Sequence, residues 1–225
     1  MTEEQQRIFA RNVVNILTDR SEDLSADGFD PTDRISEGET LNDLAELQET
    51  KQHNAATVKS MLVSVARRAV RDAYKAASNI VKTMTGYLGR EHPRVHELRL
   101  LRDGSMNEDK RREFALQIIE FLGLHTQFLS DAGFDPADTI TALTGLSDVA
   151  DTKVAQRELA KADARGATLV SVAATEDAYK TASLTVEIAA GILGEDHQVV
   201  IQLRSLRHPD SGTAPEGDTE ETGEA

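Results

Sequence analysis

An internal repeat constrains this chain more than any other feature of its sequence. The sequence Gly-Phe-Asp-Pro at 28–31 recurs at 133–136, an offset of 105 residues. Asp-Ala-Tyr-Lys at 72–75 recurs at the same offset, and the block 88–102 matches its counterpart at eight of 15 positions. Because the same offset relates separate blocks, the pattern indicates a duplication without net insertion. The sequence therefore predicts two copies of one architecture.

The start of each repeat has the pattern of one helix followed by a second. In repeat 1, apolar residues three to four apart predict a helix over about 3–26. Gly28 is expected to end it in a left-handed conformation. Asp30 then caps the next helix, and Pro31 occupies its first position, where a missing N–H costs nothing. This turn recurs in repeat 2.

A long helix and a short one complete the pattern. The long helix is predicted over about 41–88 in repeat 1 and 145–193 in repeat 2, with the polar stretch 48–54 as a candidate bend. Gly166 marks a candidate kink or close approach in the second, and a short helix over 93–102 closes repeat 1. The predicted apolar seam of the first long helix is Ala55, Val58, Leu62, Val65, Ala69, Ala76, Ile80 and Tyr87.

A hairpin of this kind cannot cover its own seam, so two hairpins related by pseudo-twofold symmetry would bury one another. We therefore predict an all-α fold, a tandem duplication of a helical-hairpin unit forming a four-helix bundle with long helices and short accessory helices. Two separate bundles of about 100 residues are the alternative. The predicted boundaries are 1–102 for repeat 1, 103–207 for repeat 2 and 208–225 for an acidic disordered tail.

Charge and composition exclude several classes of function. The chain has no cysteine, which excludes disulfides and thiolate metal sites. Its net charge is -14, and the tail 208–225 holds six acidic residues and no Lys or Arg. An acidic body repels phosphate backbones and anionic lipid, so neither nucleic acid nor membrane is predicted as a partner. No apolar run approaches the roughly 20 residues of a spanning helix, and a cytoplasmic protein is predicted.

The histidines and acidic loops do not match known metal sites. Di-iron bundles need Glu-x-x-His pairs, and none of the six histidines has Glu three residues before it. His92 and His96 could share a helix face, but repeat 2 has Ile201 in place of His96. We therefore predict that His92 caps or packs at a helix start. The acidic stretch 19–30 lacks the Gly and Glu that a calcium loop requires. From these tests together, no metal or cofactor is predicted.

A repeated polar set is the strongest candidate for chemistry. A Tyr–Lys pair can transfer a proton when the Lys lowers the pKa of the Tyr, but that requires a pocket and a cofactor motif. The structural interpretation is that Tyr74 and Tyr179 meet near the pseudo-twofold axis, while Asp72 and Lys75 form a surface pair. The predicted set at the repeat interface is Asp72, Tyr74, Lys75, Asp177, Tyr179 and Lys180.

Two groups of arginines are candidate contacts for a partner. One is a matched set that would bind an anion or acidic partner, or pair with carboxylates of the adjacent long helix. Its members are Arg99, Arg102, Arg204 and Arg207. The other is a basic patch that repeat 2 lacks, which indicates an interface specific to repeat 1. It consists of Arg67, Arg68 and Arg71, where repeat 2 has Val172, Ala173 and Glu176.

No catalytic motif accompanies these residues, since neither a Gly-rich phosphate loop nor a Gly-x-Ser-x-Gly turn occurs. The leading prediction is a non-catalytic helical scaffold or protein-interaction module that binds a protein partner or self-associates. The alternative is a bundle that binds a small molecule or metal between the repeats, near Tyr74 and Tyr179 or near His92 and His197. A third hypothesis is that the chain is an enzyme of unrecognised type.

Overall fold

The computed structural model is all-helical, which confirms the all-α class expected from the sequence. The structure describes residues 1–101 and 106–207, so Arg102 and the acidic tail 208–225 lie outside the described residues. Within these ranges there are eight helices and no strand. In chain order the helices are α1 (Glu3–Asp19), α2 (Ser21–Ala26), α3 (Thr32–Leu88), α4 (Pro93–Leu100), α5 (Glu108–Leu124), α6 (Thr126–Asp131), α7 (Ala137–Leu193) and α8 (Gln198–Ser205).

Helices α5 to α8 have the lengths and spacing of α1 to α4. Both sets have 17, 6, 57 and 8 residues in order, and each helix of the second set begins 105 residues after its counterpart. Among the described residues, positive φ angles occur only at glycines that follow α2, α3, α6 and α7, again at that offset. These are Gly28, Gly89, Gly133 and Gly194.

The turn at 28–31 precedes α3, and its counterpart at 133–136 precedes α7, as the sequence predicts. Gly28 has φ +94°, a conformation that glycine adopts without strain. Asp30 accepts hydrogen bonds from the backbone N–H of Thr32 at 3.0 Å and from its hydroxyl at 2.7 Å, which lowers the pKa of Asp30. Asp135 accepts from the N–H of Ala137 at 2.9 Å in the same way. The predicted cap is confirmed.

The helix boundaries differ from the predicted ones at the first helix and at the start of both long helices, where α7 begins at Ala137 rather than near 145. The first helix is divided, because Arg20 leaves helical geometry with φ −113° and ψ 14°. The long helix α3 begins at Thr32, directly after its cap, and the polar stretch 48–54 does not interrupt it. Gly38 lies inside α3 at a close approach to α1, where an added Cβ would be 2.5 Å from Cγ2 of Val14.

The chain divides into two compact units, and each contains helices from both predicted repeats. Unit A consists of residues 1–52 with the described residues from 167 onward, and unit B consists of residues 53–166. The long helices α3 and α7 each contribute one part to each unit. The repeat boundaries at 102 and 207 describe the sequence and stay a prediction.

The core of unit A is built from α1, the second part of α7, and α8. Phe9 and Leu24 are almost fully buried in it, and Phe29 from the turn before α3 packs there too. The α7 and α8 residues that contact this core are largely small or branched, which allows close packing of helices. They are Ala178, Ala182, Val186, Ala189, Ala190, Val199, Val200 and Leu203.

The core of unit B uses the corresponding elements, and it corrects the predicted seam of α3. Val58, Val65 and Tyr87 are exposed, although the pattern placed them inward. The buried positions of α3 in this core are shifted from that seam by about one residue. They are Val70, Ala73, Ala77 and Met84, which pack with Phe114, Ile118, Leu122 and Leu129 of α5 and α6.

Candidate functional site

The structure places the two tyrosines of the predicted polar set in different units. Tyr179 belongs to unit A, where its ring centroid lies 5.3 Å from that of Phe9. Tyr74 belongs to unit B, where its ring centroid lies 5.5 Å from that of Phe114 and 5.7 Å from the guanidinium carbon of Arg111. Each ring therefore contacts a phenylalanine of the opposite repeat within its own unit, and the expected meeting of the two rings stays a prediction.

The charged members of the polar set are exposed and do not pair as expected. The ammonium of Lys180 lies 3.4 Å from Glu176, four residues earlier, rather than beside Asp177. Within the described ranges, no ion pair of 4.0 Å or less joins Asp72 to Lys75. In each unit the set therefore consists of a partly buried tyrosine ring flanked by solvent-exposed charges.

In unit A, Arg204 and Arg207 pair with carboxylates, one of the two roles considered for them. Arg207 donates to Glu187 at 2.7 Å and to the carbonyl of Ser183 at 3.1 Å. Arg204 lies 3.5 Å from Glu187 and donates to Glu195 at 3.2 Å. The hydrogen bond from Arg207 lowers the pKa of Glu187. Both arginines are thus already engaged within the unit.

This network predicts a pH-dependent contribution to stability. The folded state lowers the pKa of Glu187, so the contribution is present above its unfolded value of about 4.3 and is lost as pH falls through the folded value. In urea unfolding, the full chain is expected to exceed Glu187→Gln in stability at pH 7, with the difference shrinking below about pH 4. A difference that stays constant down to pH 2 would contradict the assignment.

The counterpart positions in unit B carry the opposite charge. Lys82 and Arg90 stand at the positions that correspond to Glu187 and Glu195. Arg99 of α4 is exposed, and the described residues place no carboxylate oxygen within 4.0 Å of it. The ion-pair network of unit A is therefore replaced in unit B by basic residues.

Basic residues extend along the exposed side of α3. Four cationic residues recur there at spacings of three, four and seven, which places them on one helix face. All four are exposed, and no carboxylate lies within 4.0 Å of them in the part of the chain that the structure describes. We call them the basic stripe; its members are Arg68, Arg71, Lys75 and Lys82.

Only one position of the basic stripe, Lys75, is basic in repeat 2, where its counterpart is Lys180. Residues 53–101 hold nine basic and three acidic residues, a net charge of +6, whereas their counterparts at 158–206 hold four basic and seven acidic, a net charge of −3. The basic patch predicted from the sequence included Arg68 and Arg71 but not Lys82. The signal that marks Lys82 is its replacement of Glu187 at the repeat offset.

His92 and His197 cap helices, as predicted for His92. Its Nδ1 accepts the backbone N–H of Arg94 at 3.1 Å, at the start of α4. His197 caps α8 in the same way through the N–H of Val199 at 3.3 Å, and its Nε2 lies 3.1 Å from Asp27. Over the described ranges, no three His, Cys, Asp or Glu side chains are grouped to hold a metal ion.

Three clefts on the described surface are open and lined largely by polar and charged side chains. Binding sites for small molecules are more often concave and mainly apolar. No described helix is both long enough and apolar enough to cross a membrane. No protein-family model, curated protein or solved structure matches the chain.

Proposed function

We propose that this chain is a non-catalytic helical scaffold that binds an acidic protein surface through the basic stripe. The observation that carries the proposal is the stripe itself, four exposed cations in a chain of net charge −14, with no carboxylate of the described residues within 4.0 Å of them. A purely structural α3 would not need three of these four charges, because α7 has Ala173, Glu176 and Glu187 at the corresponding positions and shares only the lysine at 75 and 180. Unmatched charge of one sign indicates a complementary partner.

We also infer a tandem duplication behind the architecture. Equal helix lengths at one offset support it, as do the glycines at equivalent helix ends. Each unit is then a four-helix bundle in which α1 or α5 packs with parts of both long helices and with α8 or α4. The equivalent cores account for the stability of the two units. The surfaces differ between the repeats, and we assign the basic stripe to binding.

A protein partner fits better than nucleic acid. The stripe is one helix face wide, and the remainder of the chain is acidic enough to repel a phosphate backbone that extended beyond it. An acidic helix would contact only the stripe. The alternative of a small molecule or metal between the repeats has no supporting observation in the residues described, and the cytoplasmic location stays a prediction.

Binding to an acidic helical probe tests the proposal. A labelled synthetic peptide with glutamates at every third or fourth position should raise its fluorescence anisotropy with the full chain. Affinity should fall between about 0.1 M and about 1 M NaCl, because the Debye length shrinks from about 10 Å to about 3 Å. The double variant Arg71→Glu, Lys75→Glu is expected to bind roughly tenfold more weakly, equivalent to about 1.4 kcal/mol.

A matched control separates the stripe from bulk charge. The double variant Lys51→Glu, Arg165→Glu changes the net charge equally at two exposed cations outside the stripe, and its affinity should stay within about twofold of the full chain. Equal loss in both double variants would contradict a localised site. Tighter binding of a single-stranded oligonucleotide of equal charge would replace the protein partner with nucleic acid.

A further inference from the structure

An acidic counterpart to the basic stripe lies on the first part of the same helix. Three carboxylates at spacings of four and three are exposed on α3 within unit A. Glu46 contacts Arg11 at 3.3 Å, but both side chains of that pair are largely in solvent and it can exchange partners. We call these residues the acidic stripe; its members are Glu39, Asp43 and Glu46.

The two stripes match in reverse order. From Glu46 back to Glu39 the spacings are three and then four, and from Arg68 forward to Lys75 they are also three and then four. In an antiparallel pair of helices, residues that face each other have position numbers with a constant sum. That sum is 114 for all three opposite-charge pairs, which are Glu39 with Lys75, Asp43 with Arg71, and Glu46 with Arg68.

We propose that the acidic partner is a second copy of this chain, with the acidic stripe of one copy seated on the basic stripe of the other. The inference rests on the proposed function and names its partner. Because both stripes belong to α3, two copies that run antiparallel along this helix make the contact twice. Such an interface is self-complementary and closes as a dimer.

The residues between the stripes are compatible with this register. A sum of 114 sets Thr50 against Ser64, His53 against Met61, and Thr57 against its own copy. None of these pairs opposes like charges. Exposed ion pairs alone contribute little, so apolar contact near the centre is needed. Val58 and Met61 supply it, being 47% and 57% exposed in the single chain.

A charge-swap experiment tests the interface in the full chain. Light scattering should show concentration-dependent dimers that dissociate between about 0.1 M and about 1 M NaCl. The acid-reversed variant Glu39→Lys, Asp43→Lys and the base-reversed variant Arg71→Glu, Lys75→Glu should each weaken self-association roughly tenfold or more. An equimolar mixture of the two should associate again, because each reversed pair then faces its reversed mate.

The outcomes separate this inference from the function on which it rests. A full chain that is monomeric at low salt but binds the acidic peptide through Arg71 and Lys75 overturns self-docking and leaves the scaffold proposal standing. Failure of both measurements overturns both proposals. Reversed variants that associate as well as the full chain, or a mixture that does not associate, overturn the stripe-to-stripe contact. The Lys51→Glu, Arg165→Glu variant should associate like the full chain.

A cysteine scan tests the register independently of charge. The chain has no cysteine, so a single introduced thiol is unique. Thr57→Cys should give a covalent dimer with a short bifunctional thiol reagent, since position 57 faces itself. Thr83→Cys, also exposed on α3 but far from that centre, should remain monomeric under the same conditions. Equal linkage of both variants would overturn the register.

Discussion

Phe9→Ala is expected to lower the free energy of unfolding by about 3–5 kcal/mol, the cost of a large cavity in a packed core. Phe9 is 1% exposed, and its ring centroid lies 5.3 Å from that of Tyr179. The guanidinium carbon of Arg207 lies 6.0 Å from the same ring. The residues around Phe9 come from α7 and α8 of repeat 2, so the substitution should disturb elements distant in sequence.

The measurement is urea unfolding followed by far-UV circular dichroism, with Ile8→Ala as the control. Ile8 is 53% exposed on the same helix, so its truncation should change stability by about 0.5 kcal/mol or less. Phe114→Ala, the counterpart in unit B, should cost as much as Phe9→Ala because Phe114 is equally buried. A small effect at Phe9 would mean that unit A is not packed as described.

Hydrogen exchange shows where the destabilisation spreads. In Phe9→Ala, exchange should accelerate in α1, in α8 and in the second part of α7, because these elements share the core of unit A. It should change least in α5, whose core belongs to unit B. Acceleration confined to α1 and residues 53–88 would instead indicate that each repeat folds on its own.

Local rules predicted the turns correctly because the physical cause is contained within a few residues. Gly28 is followed closely by Asp30 and Pro31, and that order fixes a helix end and a new cap whatever surrounds it. The recurrence of this turn at 133–136 doubled the signal. His92 was likewise predictable as a cap, since the side chain of a histidine at a helix start can accept the backbone N–H two residues later.

The packing face of α3 was harder to predict because alanine occurs on several of its faces. The predicted seam used Ala69 and Ala76, which are partly buried, whereas Ala66, Ala73 and Ala77 are fully buried. Alanine is small enough to face either a close helix or solvent, so periodicity alone cannot choose between overlapping seams. The choice is made by the residues of α5, which α3 meets only after folding.

The candidate site was predictable only in part, because a repeat shows equivalence and not proximity. Tyr74 and Tyr179 are equivalent, but α3 and α7 each contribute to both units, so the two rings enter different cores. Arg68 and Arg71 stood out because their counterparts are not basic. Lys82 could be identified only by comparison with its counterpart Glu187, which forms an ion pair with Arg207 in unit A.

Gly38→Ala is expected to destabilise the chain, although glycine to alanine inside a helix normally stabilises by about 1 kcal/mol. The new Cβ would lie 2.5 Å from Cγ2 of Val14, a β-branched side chain that cannot rotate away freely. Crowding of this kind costs about 1–3 kcal/mol. Crowding should therefore outweigh the gain in helix propensity, giving a net loss of up to about 2 kcal/mol.

Gly166→Ala is the matched control, because nothing lies within 4 Å of the Cβ position at Gly166 in α7. This variant should gain up to about 1 kcal/mol in the same urea titration. Adding Val14→Ala to Gly38→Ala should cost less than Val14→Ala costs alone, since the crowded methyl group is removed. If Gly38→Ala stabilises the chain as much as Gly166→Ala does, α1 does not approach α3 as closely at this point as the structure shows.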